Sequence, residues 1–149
     1  MSLKTTIQTD MKAAMKSGEK DRLGVIRMLL AAIQSREIEV RGVLSDADVT
    51  QIVEKLIKQR KESARQFADV GRPERATQEL AEAEILQGYL PEQLSPAELD
   101  AILTDVIAAT GAAGMKDMGK VMAELRTRAQ GRADMAALSA IVKSRLAAN

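Results

Sequence analysis

The chain has 149 residues, 46% of them hydrophobic and 29% charged, with 22 Lys/Arg against 21 Asp/Glu. That length has room for one domain or two small ones with an apolar core. It contains neither Cys nor His, which excludes disulfides, thiolate and imidazole zinc sites, thiol nucleophiles and every triad built on a histidine base.

With one Phe, one Tyr and no Trp, the core must come from Leu, Ile, Val, Met and Ala. That favours helix packing over a sandwich rich in aromatic pairs, so the expected fold class is all-α. In chain order, Leu3, Ile7, Met11 and Met15 recur every four residues up to Ser17-Gly18, where glycine can close a helix in the left-handed conformation. Leu23, Ile26, Leu30 and Ile33 mark one face of a second helix ending near Arg41-Gly42. Ser45 and Asp48 form a capping-box-like start for a long third helix carrying Val49, Ile52, Val53, Leu56, Ala64 and Phe67 toward Gly71. Pro73 suits the first turn of a fourth, which runs through Leu80, Ala83 and Leu86.

The stretch GYLPEQLSPAELD, residues 88–100, is the clearest boundary. Pro91 and Pro96 interrupt the helical pattern, and Ser95 with Glu98 gives a complete S-x-x-E cap. Leu99, Ile102, Leu103, Val106 and Ile107 follow; then the break TGAAG; then Met118, Val121, Met122 and Leu125; then Gly131; then Leu138, Ile141, Val142 and Leu146. The expected organisation is an N-terminal helical domain, 1–92, and a small three-helix tail domain, 93–149. The first residues have no unbroken apolar run of signal-peptide type, and no later stretch approaches membrane-span length. A cytoplasmic protein is the expectation, with no membrane association.

Neither half is basic as a whole: residues 1–94 hold 15 Lys/Arg and 15 Asp/Glu, residues 95–149 hold 7 and 6. The contrast is local. Within 119–146 stand Lys120, Arg126, Arg128, Arg132, Lys143 and Arg145, opposed only by Glu124 and Asp134. Such a cluster is a minimal phosphate-binding footprint, yet cations in late helical turns also complement the helix dipole, and both readings stay open on charge alone. Gly131 suits a tight turn between the last two helices, and Asp134 is placed to cap the amides of the second.

The stretch MGKVMAELRTRAQGRADMAALSAIVKSRL resembles the GatB/YqeY tail domain: a glycine-bracketed helix, a short G-[RK]-[AT] link and a terminal helix. RMLLAAIQSREIE, KQRKESARQFADVGRPE and EILQGYLPEQLS resemble the N-terminal helical domain of the free-standing YqeY family, so the resemblance covers nearly the whole chain. The chain departs from the tail pattern at RTRAQ and at DMAALSAIV, while the apolar spacing, Gly119 and Gly131 are kept. The family's tail is similar to the C-terminal domain of the GatB component of the tRNA-dependent amidotransferases, where it helps hold tRNA. The resemblance therefore implies tRNA as a partner, with Lys120, Arg126, Arg128, Arg132, Lys143 and Arg145 as the RNA-facing set.

A second constellation lies in KLIKQRKESARQF, residues 55–67. Lys58, Glu62 and Arg65 fall at helical spacings that make intrahelical pairs; together with Arg36 of the preceding helix they would form a polar groove for a partner or charged metabolite. Glu37 and Glu39 are two residues apart and lie on different helix faces, so they do not make an acid/base dyad. No catalytic residue, metal ligand set or cofactor is expected. The sequence shows neither a Gly-rich phosphate loop nor a Ser-Lys amidase signature. Three functions from different classes follow: a tRNA-associated binding protein that is non-catalytic by itself, an amidotransferase-related component with glutamine-dependent carbon–nitrogen ligase activity, and a helical protein–protein adaptor. The ligase activity is implied by the resemblance alone. Oligomeric state is left open.

Overall fold

A computed structural model describes residues 1–148. Seven α-helices and one short 3-10 turn make up its regular structure, with no strand among the described residues, so the protein is all-α. The helices are α1 Leu3–Ser17, α2 Lys20–Val40, α3 Asp46–Asp69, α4 Pro73–Gln87, α5 Pro96–Thr110, α6 Met118–Ala129 and α7 Met135–Ala147. The chain divides into two compact units, Met1–Leu90 and Pro91–Asn149.

Local chemistry sets most helix ends. Gly18 and Gly111 take the left-handed conformation, at φ 73° and 67°, and their amides return to carbonyls of α1 and α5. Ser45 and Asp48 close a reciprocal capping box at the start of α3, and Ser95 and Glu98 do the same for α5 behind Pro96. At the end of α2 the left-handed residue is Arg41, φ 55°, rather than its glycine neighbour.

In the first unit, α1 to α4 share a core of Ile7, Ile26, Leu29, Ile33, Val53 and Leu86, each with no exposed surface, together with Val25, Val49, Ile57 and Ala83. Leu30 and Leu56 pack against it from its edge. Leu80, expected on the core face of α4, is 48% exposed. The reason is where the core stops: α3 and α4 form an antiparallel hairpin whose outer part is sealed by small residues, Ala64 and Ala76, that lie outside the main cluster. Polar bonds tie the helix ends together. Tyr89 is buried, and its hydroxyl donates to Asp10 at 2.7 Å, while Arg22 of α2 lies 3.7 Å from the same carboxylate. Burial and the Asp10 charge push the Tyr89 hydroxyl far above its ordinary pKa. Lys4 of α1 reaches Glu37 of α2 at 2.6 Å, and Glu37 also accepts the Leu44 amide ahead of α3.

In the second unit, Leu103 and Val106 of α5, Val121 and Leu125 of α6, and Val142 and Leu146 of α7 form one buried cluster. Leu94, Ala129, Ala133 and Leu138 form another around the α6–α7 turn. Each helix buries one stripe against the other two, the packing expected when branched aliphatic residues recur at three- and four-residue intervals.

Candidate nucleic-acid interface on the last two helices

The α6–α7 turn is built by Gly131 at φ 74°, a value an L side chain adopts only with strain. Around it, residues 92–94 run alongside the turn. Leu94 donates its amide to the Arg132 carbonyl at 2.8 Å, and the Gln93 side chain donates to the Gly131 carbonyl at 2.8 Å. Arg132 Nε donates to the Glu92 carbonyl at 3.0 Å. Asp134 caps α7, accepting the Ala136 amide at 2.9 Å, so the first turn of α7 already satisfies one of its free amides with a carboxylate of this chain.

These contacts sort the six basic residues into two sets. Arg128 pairs with Glu124 one turn earlier in α6 at 3.0 Å, and Arg145 bridges α7 to α5 through Asp100 at 2.8 Å and the Thr104 hydroxyl at 2.6 Å. Arg132 is half-buried and engaged with the 92–94 segment. Lys120, Arg126 and Lys143 are exposed, and no ion pair or hydrogen bond among the described residues holds their side chains. The acids of the neighbourhood are occupied by partners: Glu124 and Asp100 by arginines, Asp134 by its cap, and Asp117 by the Ala113 amide at 2.9 Å, which holds its carboxyl below the usual range. Spacing alone could not separate the two sets, because the carbonyl that takes Arg132 and the carboxylate that takes Arg145 are 40 and 45 residues away.

Arg36 is not drawn to Lys58, Glu62 and Arg65, which lie close together on α3. Arg36 pairs with Glu39 in its own helix at 3.0 Å, and Arg65 pairs within α3 with Glu62 and with Asp69. No hydrogen bond or ion pair among the described residues joins Arg36 to the other three. Glu37 and Glu39 indeed face different ways, one to Lys4 and one to Arg36.

The residue that spacing does not single out is Arg60. It lies between the helices of the hairpin, 3.3 Å from Glu82 and 3.7 Å from Glu79 of α4, with a further contact to the Met28 sulfur of α2. Only 17% of its side chain is exposed. Its one sequence signal is a cation on the same face as Ile57 and Ala64, three and four residues away. Among the described residues there is no cluster of acidic, His or Cys side chains suited to a metal, and no helix long and apolar enough to cross a membrane.

A family model described as Yqey-like protein matches residues 4–146. Among curated relatives, the chain is 27% identical over 129 residues to a protein of Pyrenophora tritici-repentis named Altered inheritance of mitochondria protein 41, mitochondrial; the match covers 85% of this chain and 71% of that one. It is 33% identical over 104 residues to the protein of the same name from Lachancea thermotolerans, covering 68% of this chain and 56% of that one. An uncharacterized protein of Schizosaccharomyces pombe is 30% identical over 94 residues, covering 63% and 76%. The match thus spans little more than half of the Lachancea protein. The expected cytoplasmic location is overturned by these relatives, two of which are named as mitochondrial. The expectation rested on the lack of a signal-type apolar run at the start and of a membrane-length run later, and neither lack specifies a compartment.

Proposed function

This chain belongs to the Yqey-like protein family, and from that premise we propose that it is a tRNA-associated binding protein, non-catalytic by itself, whose tail engages tRNA by shape and phosphate contacts. The observation that carries the reading is the set Lys120, Arg126 and Lys143, exposed on α6 and α7 with no ion pair among the described residues, while Glu124 and Asp100 are taken by arginines. Cations already neutralised within the fold gain little from a phosphate; unpaired ones release the counterions condensed on RNA when they dock. Arg128 and Arg145 can add contacts only by exchanging Glu124 and Asp100 for phosphate, and Arg132 acts chiefly as a brace for residues 92–94.

The experiment is a salt titration of tRNA binding. Replacing Lys120, Arg126 and Lys143 with Ala should flatten the slope of log affinity against log salt by about 2 to 3, at roughly 0.7 to 0.9 per phosphate contact. Thermal stability should stay within about 1 kcal/mol, because exposed unpaired charges contribute little to folding. An unchanged slope would make the cluster a set of helix-end charges. Arg132→Ala is the wrong variant for this purpose, since it also removes the bond to the Glu92 carbonyl. Glutamine-dependent ligase turnover by the purified chain, abolished by substituting one of its own residues, would replace this reading with the catalytic one.

A second reading, as a protein adaptor, rests on Ile38, Val40 and Val43, which are 70%, 46% and 88% exposed where α2 ends and the loop to α3 begins. On this reading the three apolar side chains would be covered by another chain. Retention of a protein partner after ribonuclease treatment, lost in Ile38→Asp, would favour it.

A further inference from the structure

The outer part of the α3–α4 hairpin carries a charge arrangement that the tail cluster does not explain. Between Lys55 and Leu80, every carboxylate is in an ion pair with an arginine: Glu62 and Asp69 with Arg65, Glu74 with Arg72, Glu79 with Arg60. Arg60 also takes Glu82. Lys55, Lys58 and Lys61 are exposed, and no ion pair among the described residues holds any of them. Glu84 of α4 shares a groove with Lys61 without pairing to it.

The three lysines stand at i, i+3 and i+6 along α3, which spaces them about 4.5 Å apart along the axis and places them on one side of the helix. A shallow groove there is lined by Lys55, Lys58, Gln59, Arg60, Glu62 and Ser63, polar side chains throughout. A protein partner needs a buried apolar or aromatic anchor at the centre of its footprint; the groove at Lys55 and Lys58 is lined by none, and the half-exposed Leu80 adjoins only Lys61, at the end of the row. A row of cations without a central apolar anchor is suited to a regularly charged backbone. Stacking on unpaired bases is not available either, because Tyr89 is buried and Phe67 is covered by the Arg75 guanidinium 5.0 Å from its ring centre.

We propose that the Lys55, Lys58 and Lys61 stripe of the first unit is a second RNA-docking surface, binding the phosphate backbone of folded RNA independently of base sequence. The inference rests on the RNA-binding reading above but assigns it to different residues in a different unit. Lys58 here acts without Arg36, Glu62 and Arg65, each of which already has a partner.

The test uses the full chain, unfractionated tRNA as the probe and a tail variant as comparator. In Lys55→Ala/Lys58→Ala/Lys61→Ala, the drop in tRNA affinity between about 50 and 200 mM salt should be smaller than in the parent chain by roughly 20- to 40-fold, the effect of three phosphate contacts. Helical circular dichroism should be unchanged, since the three side chains are exposed. A parent-like salt curve in this variant, with a flattened one in the tail variant, would overturn the second surface and leave the tail reading intact. No tRNA binding by the parent chain would overturn both. Competition by polyglutamate as effective as by tRNA would overturn the assignment of RNA as the occupant.

Discussion

Glu37 illustrates how much one side chain can join. Its carboxylate receives Lys4 from α1 and the Leu44 amide from the loop before α3, so three segments converge on one acid. The Lys4 hydrogen bond, with help from the Leu44 amide, holds its pKa below the ordinary carboxylate value. A carboxylate whose folded pKa is depressed contributes stability that is fully present above its unfolded pKa and is lost as pH falls through the folded one. In Glu37→Gln, stability by urea titration should therefore be lower than in the parent at neutral pH. The difference should shrink between about pH 5 and pH 3, where the unfolded acid and then the folded one protonate. A difference independent of pH would mean that the carboxamide loses shape or packing rather than charge.

The seven helices differ in how their ends are closed. The two Ser boxes and the glycines at 18, 111 and 131 act through their own backbone and are legible as sequence. The end of α2 is different: Arg41 takes φ 55° although Gly42 follows directly, because its amide closes onto the Glu37 and Ile38 carbonyls and that of Gly42 onto Glu37. A left-handed arginine carries a Cβ penalty that glycine lacks. Arg41→Gly should raise stability by up to about 1 kcal/mol, the relieved strain exceeding the added freedom of the unfolded chain. A loss in denaturant midpoint would show that the Arg41 side chain contributes more than its backbone strain costs. At this scale, the apolar spacing found the helices but not their depth: Ile26, Leu103 and Leu146 are buried as expected, while Leu80 and Ile141 are 48% and 45% exposed. Spacing identifies the face of a helix, whereas exposure depends on whether another helix lies over that face along its full length.

At the scale of the whole molecule, each unit has its own closed core, one of four helices and one of three. Residues 91–149 should therefore fold alone, with a single cooperative urea transition. A fragment starting at residue 96 should be less stable than one starting at residue 91. It lacks the Leu94 amide bond to Arg132, the Gln93 bond to Gly131 and the Glu92 carbonyl that receives Arg132, and such bonds are worth about 0.5 to 1.5 kcal/mol each. Equal midpoints for the two fragments would reduce residues 91–95 to a passive connector. A non-cooperative longer fragment would mean that the tail depends on the first unit.

What the amino-acid sequence determined by itself is everything that acts over one or two turns: the all-α class, the positions of seven helices, the caps at Ser45, Ser95 and Asp134, the turn at Gly131, and the family pattern. These depend on backbone preferences and on groups within four residues of each other, and such information is local. The fate of the charges was decided elsewhere. Six basic residues that look equivalent between 119 and 146 become three that are engaged and three with no ion pair or hydrogen bond among the described residues. An unmarked Arg60 becomes the pin between α3 and α4, and Arg36 pairs within its own helix instead of joining Lys58, Glu62 and Arg65. An ion pair or a long-range hydrogen bond depends on distance in space, and the Glu92 carbonyl and the carboxylates of Asp100, Glu79 and Glu82 come within reach of their arginines only once the helices have packed.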